Sequence, residues 1–432
     1  MSKNTIKIPK LGTPADLEKL SEILPAPTPA AESPWKREMV MTVKGQRKPI
    51  LANVALVLRS DPSWVGVIGF DALSETPVLL KAPPYWQGSF HGPAAITDQD
   101  LRATAAWIQT FGGITANVGV TTEAVLLVAA ESKFHPLQTY LNGLHWDGRN
   151  RIDQWPIKYL GAADTAFVRA VGRRWLIQAV ARAYRPGCQA DAMLILEGPQ
   201  GVGKSTALRT LADPWFTDHL PDLANKDALL QMRGMWIIEL AEMASLSKTE
   251  TARIKAFITT RDDRYRSPFG RIAETHPRSC VFSGTINPGA GGYLRDETGA
   301  RRFWPLLTGK IDLAALKADR DQLWAEARQA LRGGEAWHIT EPHLVAAAII
   351  EQSERFDSDP WHETVEQFID GKDRVTLDEL LRDLGKNDKG GWEQRDQNRL
   401  ARILTKLGWK RVRRRREYGG KSDWFYTPPS SQ

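Results

Sequence analysis

One run of residues, Gly198-Pro-Gln-Gly-Val-Gly-Lys-Ser-Thr206, restricts this chain more than any other. Met193 to Leu196 before it is apolar and strand-like, and Thr206 to Leu211 after it has a helical pattern. Glycines at 198, 201 and 203 let the backbone turn tightly between the two with its N–H groups pointing inward. The helix N-terminus beyond them adds positive potential, so the turn is a cradle for phosphate. The spacing matches G-x-x-x-x-G-K-[ST]. Gly198, Gln200, Gly201, Val202, Gly203 and Thr206 are expected to form the wall of the cradle. Lys204 then reaches the β and γ phosphates, and the Ser205 hydroxyl holds Mg²⁺. ATP and Mg²⁺ are the ligands this predicts, and a strand feeding a loop feeding a helix is the fold it demands.

Such a loop needs an acidic strand beside it to orient the metal and activate water. Met235-Trp-Ile-Ile-Glu239-Leu-Ala-Glu242 is apolar and ends in two acids. Either Glu239 or Glu242 fits the metal, with the other polarising the attacking water; the E-x-x-E spacing leaves the division open. A third apolar strand, Ser279 to Thr285, runs into Ile286-Asn287-Pro288. An amide at that strand end can hydrogen-bond both the water and the γ phosphate, which makes Asn287 a sensor candidate. Further on, Arg301 and Arg302 precede Phe303-Trp304. Either arginine, supplied from a neighbouring subunit, would stabilise charge developing on the γ phosphate. A salt bridge to Asp296 or Glu297 is the plainer use of the pair.

The order of patterns divides the chain. Residues 1–34 include Pro25-Ala-Pro-Thr-Pro-Ala-Ala-Glu-Ser-Pro34, too rich in proline and small side chains to close a core, and are expected to form a flexible tail. Residues 35–190 read as a mainly helical N-terminal domain, with a strand-like Met39–Val43 and helices near Ala52–Leu58, Asp98–Thr110, Thr121–Lys133 and Ala166–Tyr184. From 191 to 310 short apolar strands alternate with helices, which implies a mostly parallel α/β sheet. Residues 311–360 are a helical connector ending in Asp357-Ser-Asp-Pro360, and 361–432 form a small terminal unit. No apolar run approaches the roughly 18 to 20 residues that cross a bilayer, and Met1 to Leu11 lacks the core of a signal peptide. A protein of the cytosol is expected. Cys188 and Cys280 fit neither a zinc spacing nor a disulfide framework.

A net charge of +7 favours a polyanionic partner, and two segments concentrate it. Lys255 and the stretch from Arg261 to Arg271 interleave basic and aromatic residues around a Pro and a Gly suited to a hairpin. Lys255, Arg264, Arg266 and Arg271 could grip phosphates while rings stack on bases of single-stranded nucleic acid. In the terminal unit Thr376-Leu-Asp-Glu379 is a capping box, and Leu400, Ile403, Leu404 and Leu407 mark the buried side of another helix. Arg399, Arg402 and Lys406 fall on its open side. A strand from Trp409 to Arg416, a Gly419-Gly420 turn and a return strand from Asp423 to Thr427 complete the order of a winged helix. Its Arg413, Arg414, Arg415 and Arg416 face the backbone of duplex DNA on this reading.

Together these residues resemble the virulence-associated protein E family of phages and other mobile elements, which is similar to superfamily 3 helicases of the AAA+ type. The match rests on Gly198–Thr206, Trp236–Glu242, Asp263-Arg-Tyr-Arg266 and Thr298–Pro305. Upstream it adds Phe134-His-Pro136, Tyr140–Gly148, Arg151-Ile-Asp153 and Tyr159-Leu-Gly161. The resemblance implies an α/β fold: an AAA+-type P-loop ATPase core with the mainly helical N-terminal domain and a C-terminal winged helix. It also implies an ATP-dependent replicative DNA helicase or translocase in the cytosol of a bacterial host, acting as a homo-oligomeric ring, a hexamer, with single-stranded DNA in the ring and duplex at the winged helix. Larger relatives fuse a primase to this ATPase. Residues 1–130 carry no clustered acidic motif for one, so a separate primase or polymerase is the expected partner. The alternatives are a replication initiator or regulator whose ATPase only switches assembly, and a P-loop kinase.

Overall fold

A computed structural model describes residues 34–219, 226–241, 248–266, 272–287, 302–353, 355, 361–386, 393–414 and 423–428. The chain divides into two compact units. One comprises the residues up to Met243 with Ala252–Asn287 and Arg301–Ala348; the other comprises Ala244–Thr251, Pro288–Ala300 and Ile349–Gln432.

The first unit begins with a lobe built from α1 (Leu51–Ser60), β1 (Ile68–Asp71), β2 (Thr76–Leu79), β3 (Ala94–Ala95), α2 (Asp98–Thr110), α3 (Val118–Glu131) and β4 (Lys133–Phe134). Helix α2 starts where a capping box forms: the Thr97 hydroxyl accepts from Asp100 N, and the Asp100 carboxylate accepts from Thr97 N. Trp64, packed edge-on to Trp107 at 5.7 Å, lies at the centre of the lobe's own core. Beside the expected helices stands a sheet in the order β3-β2-β1-β4, which the sequence did not reveal because its strands are only two to four residues long. Met39–Val43 contributes a single bridge, Met41 to Arg47.

Residues 35–190 do not share one core. Helices α4 (Pro136–Gly143), α5 (Trp155–Leu160) and α6 (Ala166–Tyr184) bury their apolar side chains with the larger sheet that follows. That part contains β5 (Met193–Glu197), α7 (Lys204–Ala212), β6 (Phe216–Thr217), α8 (Lys226–Gln231), β7 (Ile237–Leu240), α9 (Lys248–Thr259), β8 (Asp262–Tyr265), β9 (Glu274–Pro277), β10 (Val281–Ile286), β11 (Phe303–Leu307) and α10 (Leu313–Arg332). The sheet order is β11-β5-β10-β7-β6 and every pair is parallel. The structure is thus mixed α/β around a parallel sheet, and its strands read as continuous apolar runs because both faces are covered. Large aromatics fill the space behind it, and three of them find backbone acceptors for their N–H groups, while the Trp155 N–H meets none among the described residues. Trp236 and Trp324 pack at 4.1 Å and donate to Ala179 O and Leu211 O, while Trp175 donates to Phe282 O. β8 and β9 form a separate antiparallel hairpin.

Helix α11 (Pro342–Ser353) begins in the first unit and ends in the second. The second unit continues with α12 (His362–Ile369), α13 (Leu377–Asp383), α14 (Gln394–Lys406), β12 (Lys410–Arg414) and β13 (Asp423–Thr427). Thr376 and Glu379 form the capping box of α13, as the sequence predicts. Val365, Leu381, Leu400, Leu404 and Tyr426 close a small core, and β12 pairs antiparallel with β13. Among the described residues no helix is long and apolar enough to cross a membrane.

Candidate functional site

The parallel sheet places the ends of β5, β10 and β7 side by side, with β10 in the middle. From β5 the chain turns through Gly198 into the glycine loop. A Cβ on Gly198 would lie 2.4 Å from Thr308 Oγ1, and Gly203 caps α7 at φ +98, so side chains are excluded at both places for different reasons. Gln200, Gly201, Val202 and Thr206 follow the predicted course around the turn and into the first turn of α7.

Lys204 is the first residue of α7 and only 6% exposed. Its ammonium donates to Gly198 O (2.6 Å), Pro199 O (2.8 Å) and Asn287 Oδ1 (2.9 Å), which occupies all three protons. Burial pulls its pKa below the usual lysine range, and the Glu239 charge opposes that shift. Asn287, immediately beyond β10, thus touches the loop lysine.

Glu239 lies on β7 and is 1% exposed. Its Oε1 accepts two hydroxyls, Ser205 Oγ at 2.7 Å and Thr285 Oγ1 at 2.5 Å. Thr285 stands two residues beyond Ser283, the β10 residue that pairs with Glu239, and hence on the same face of the strand. Glu239 Oε2 is buried and meets no donor among the described residues. A buried, unpaired carboxylate oxygen beside a serine hydroxyl is a donor set suited to a hard divalent cation. Ser205 and Glu239 thus fit the predicted metal pair. Thr285 was not singled out in the sequence, where a threonine inside a buried strand looks like any β-former.

Arg302 stands apart. β11 runs parallel to β5 with Phe303 opposite Met193 and Leu307 opposite Glu197, so Arg302 lies at the start of these strands while the glycine loop lies at their end. In this register Arg302 is level with Ala192, six strand steps from Gly198, or about 20 Å. Arg302 Nε lies 3.6 Å from the Asp191 carboxylate of its own chain. Glu242, Arg271, Arg301, Arg415 and Arg416 fall outside the described residues, as do the side chains of Lys406 and Arg414.

Of the predicted nucleic-acid residues, Lys255 needs correction. It is 6% exposed and its ammonium lies 5.7 Å from the Phe303 ring centroid, so it belongs to the interior of its unit. Arg264 and Arg266 are exposed, because alternation along β8 turns Asp263 and Tyr265 inward and these two outward. Tyr265 is not a free stacking platform: its ring stacks on His276 at 3.9 Å. Asp263 is fixed by a bidentate pair with Arg278 at 2.6 and 2.7 Å. In the second unit Arg399 lies over the Trp361 ring at 4.0 Å, and Arg402 Nε donates to Asn398 O. Arg411 and Arg413 flank Trp424 at 4.2 and 5.6 Å.

The upstream motif around Arg151-Ile-Asp153 is tied to α10 and α6. Glu326 on α10 accepts from the backbone N–H of Arg151 (2.6 Å) and Ile152 (3.1 Å), Arg151 pairs with Asp147, and Arg173 on α6 holds Asp153.

The sequence profile of the virulence-associated protein E-like domain matches residues 141–356. No curated protein matches the sequence. Similar solved structures include the apo NrS-1 C terminal region, 12% identical over 84% of this chain and 96% of that chain, with a TM-score of 0.46. The A form of the same region aligns at 11% identity over 84% and 96%, TM-score 0.43. A further A-form structure aligns at 13% over 67% and 78%, TM-score 0.40.

Proposed function

The chain belongs to the virulence-associated protein E-like family, and from that premise we propose that it is a P-loop ATPase that drives a helicase or translocase on DNA during replication of a phage or other mobile element. The observation that carries this reading is the meeting of Lys204, Ser205, Glu239 and Asn287 at three adjacent strand ends. On this reading Lys204 exchanges its loop carbonyls for the β and γ phosphates of ATP, and the backbone N–H groups of the loop hold the rest of the chain of phosphates. Ser205 and Glu239 hold Mg²⁺, which when bound supplies positive charge against the leaving phosphate. Asn287, already in contact with Lys204, aligns the attacking water, and Glu242 accepts its proton.

Arg302 is too far along the sheet to serve its own chain's nucleotide. An arginine at that end of the strands can act on a nucleotide only from a neighbouring subunit, which requires a head-to-tail ring, with a hexamer as the assembly the family resemblance implies. Arg301 remains its partner in this proposal. The three helices and hairpin of the second unit read as a winged helix that grips duplex, while Arg264 and Arg266 meet single-stranded DNA in the ring; a primase or polymerase is recruited separately, in the host cytosol.

The test is Mg²⁺-dependent ATP hydrolysis, its stimulation by single-stranded DNA, and displacement of a strand from a forked duplex. Lys204→Ala should abolish hydrolysis in a folded protein; wild-type turnover in that variant would end the ATPase reading. Hydrolysis without displacement on any fork would leave an initiator whose ATPase switches assembly.

A further inference from the structure

The N-terminal lobe has no part in the proposal so far, yet one of its residues reaches into the core at the point where the basic hairpin is held. Glu75, in the turn between β1 and β2, has φ +52, a left-handed conformation that glycine and asparagine adopt at less cost. The turn holds it there. Asp71 accepts from Leu73 N (2.8 Å) and the Ser74 hydroxyl (2.8 Å), and Ser74 Oγ lies 2.7 Å from Thr76 Oγ1. A charged side chain kept in a costly backbone conformation points to a use for the side chain.

That use is visible. The Glu75 carboxylate accepts from Tyr265 OH at 3.1 Å and lies 2.8 Å from His276 Nδ1. Both residues are on the inward face of the β8–β9 hairpin, stacked on each other at an interplanar angle of 9°. Arg233 Nε lies 3.5 Å from the same carboxylate, the Arg233 guanidinium also donates to Glu75 O, and Gly234 N donates to Leu73 O. Arg233 and Gly234 lead into β7, the strand of Glu239. Burial, and after it the Glu75 charge, pushes the Tyr265 phenol above its ordinary range and keeps it a donor. On the outward face of the same hairpin stand Arg264 and Arg266.

We infer that Glu75 is a positioning residue for nucleic acid: by clasping Tyr265, His276 and Arg233 it fixes the inward face of the hairpin, and so sets where Arg264 and Arg266 meet the phosphates of single-stranded DNA. The inference rests on the proposed role of those two arginines. Charge-assisted bonds to one carboxylate from two separate segments are a stiff connection, whereas the hairpin's own two strands pair over only four residues each. A two-stranded hairpin of that length is marginal on its own, and the Asp263–Arg278 pair secures only its base, so its Tyr265 end depends on the Glu75 clasp.

Glu75→Asn tests this, because asparagine tolerates the left-handed backbone but its side chain is too short to reach the hairpin. Expected are unchanged basal ATPase, faster amide exchange across 262–277, and a roughly tenfold rise in the oligo(dT) concentration that half-activates hydrolysis. Glu75→Gln, which keeps an acceptor at the same reach, should fall between Glu75→Asn and wild type. Unchanged exchange in Glu75→Asn overturns the clasp whatever DNA does. Faster exchange with unchanged half-activation overturns its link to DNA, provided Arg264→Ala/Arg266→Ala weakens activation. If that double variant activates normally, the hairpin does not touch DNA and the inference falls with it, while the ATPase reading stands or falls on Lys204→Ala.

Discussion

Thr285→Val removes one oxygen from the candidate site and leaves shape almost unchanged. The lost bond is the 2.5 Å donation to Glu239 Oε1, a carboxylate 1% exposed. Hydrogen bonds to charged groups contribute about 1.5–3 kcal/mol, and the added methyl returns about 0.8 kcal/mol by burial. A net loss of about 1–2 kcal/mol should lower Tm by a few degrees. The larger effect is expected on turnover. With valine at 285, Ser205 is the only hydroxyl left on Oε1 among the described residues, and the proposed metal site needs Ser205 for itself. Glu239 would then turn in its pocket and present Oε2 less consistently to the cation. We expect kcat to fall about 10- to 100-fold, or roughly 1.4–2.7 kcal/mol in the barrier, and the Mg²⁺ half-saturation to rise. ATP affinity measured without turnover should change little, because Lys204 and the loop are untouched. Thr285→Ser should recover most of the rate. Phosphate release across a Mg²⁺ series, with Tm measured alongside, decides the matter. A Thr285→Val protein with wild-type kcat and Mg²⁺ dependence would refute the reasoning and leave the hydroxyl a contributor to stability alone.

Glu242→Gln should bind nucleotide without turning it over, and the same phenotype confined to Glu239→Gln would reverse the roles of the two acids. Mixing Arg301→Ala or Arg302→Ala subunits with Lys204→Ala subunits should restore part of the hydrolysis, since one interface then joins an intact arginine to an intact loop; no rescue under demonstrated subunit exchange would make the arginines structural. Replacing Arg413 through Arg416 by alanine should flatten the plot of log duplex affinity against log salt by up to about three to four units, at roughly 0.9 per phosphate contact. Equal slopes in fluorescence anisotropy would make the second unit a protein-docking module.

The glycine loop was legible because its chemistry is written in consecutive residues, and the helices Asp98–Thr110 and Ala166–Tyr184 because their period is long enough to count. Asn287 was legible from its place after an apolar strand. What the chain order hid was pairing at a distance. Glu75 and His276 are 201 positions apart, and nothing local to either marks the other. Lys255 shows the opposite error: a lysine close to a basic, aromatic stretch reads as surface, but α9 buries it beside Phe303. Arg302 has no local sign of which end of the sheet it occupies; only the register of β11 on β5 supplies it.

That register matters because it separates two jobs along one sheet. The strand ends at Glu197, Glu239 and Asn287 gather the groups proposed to hold a triphosphate, and β10 between them is the strand that the hairpin feeds directly, through Pro277 and Arg278. Arg278 is held twice, by Asp263 from the hairpin and by the Phe257 and Phe282 rings at 4.3 and 5.7 Å. A displacement of the hairpin therefore meets a rigid joint three residues before β10 begins, and just past the other end of that strand Asn287 lies against Lys204. Packed strands shift as units and do not bend freely. DNA drawn against Arg264 and Arg266 and a phosphate drawn against Asn287 would then pull on the two ends of one element, which is the connection a translocating ATPase needs and a nucleotide-binding kinase does not.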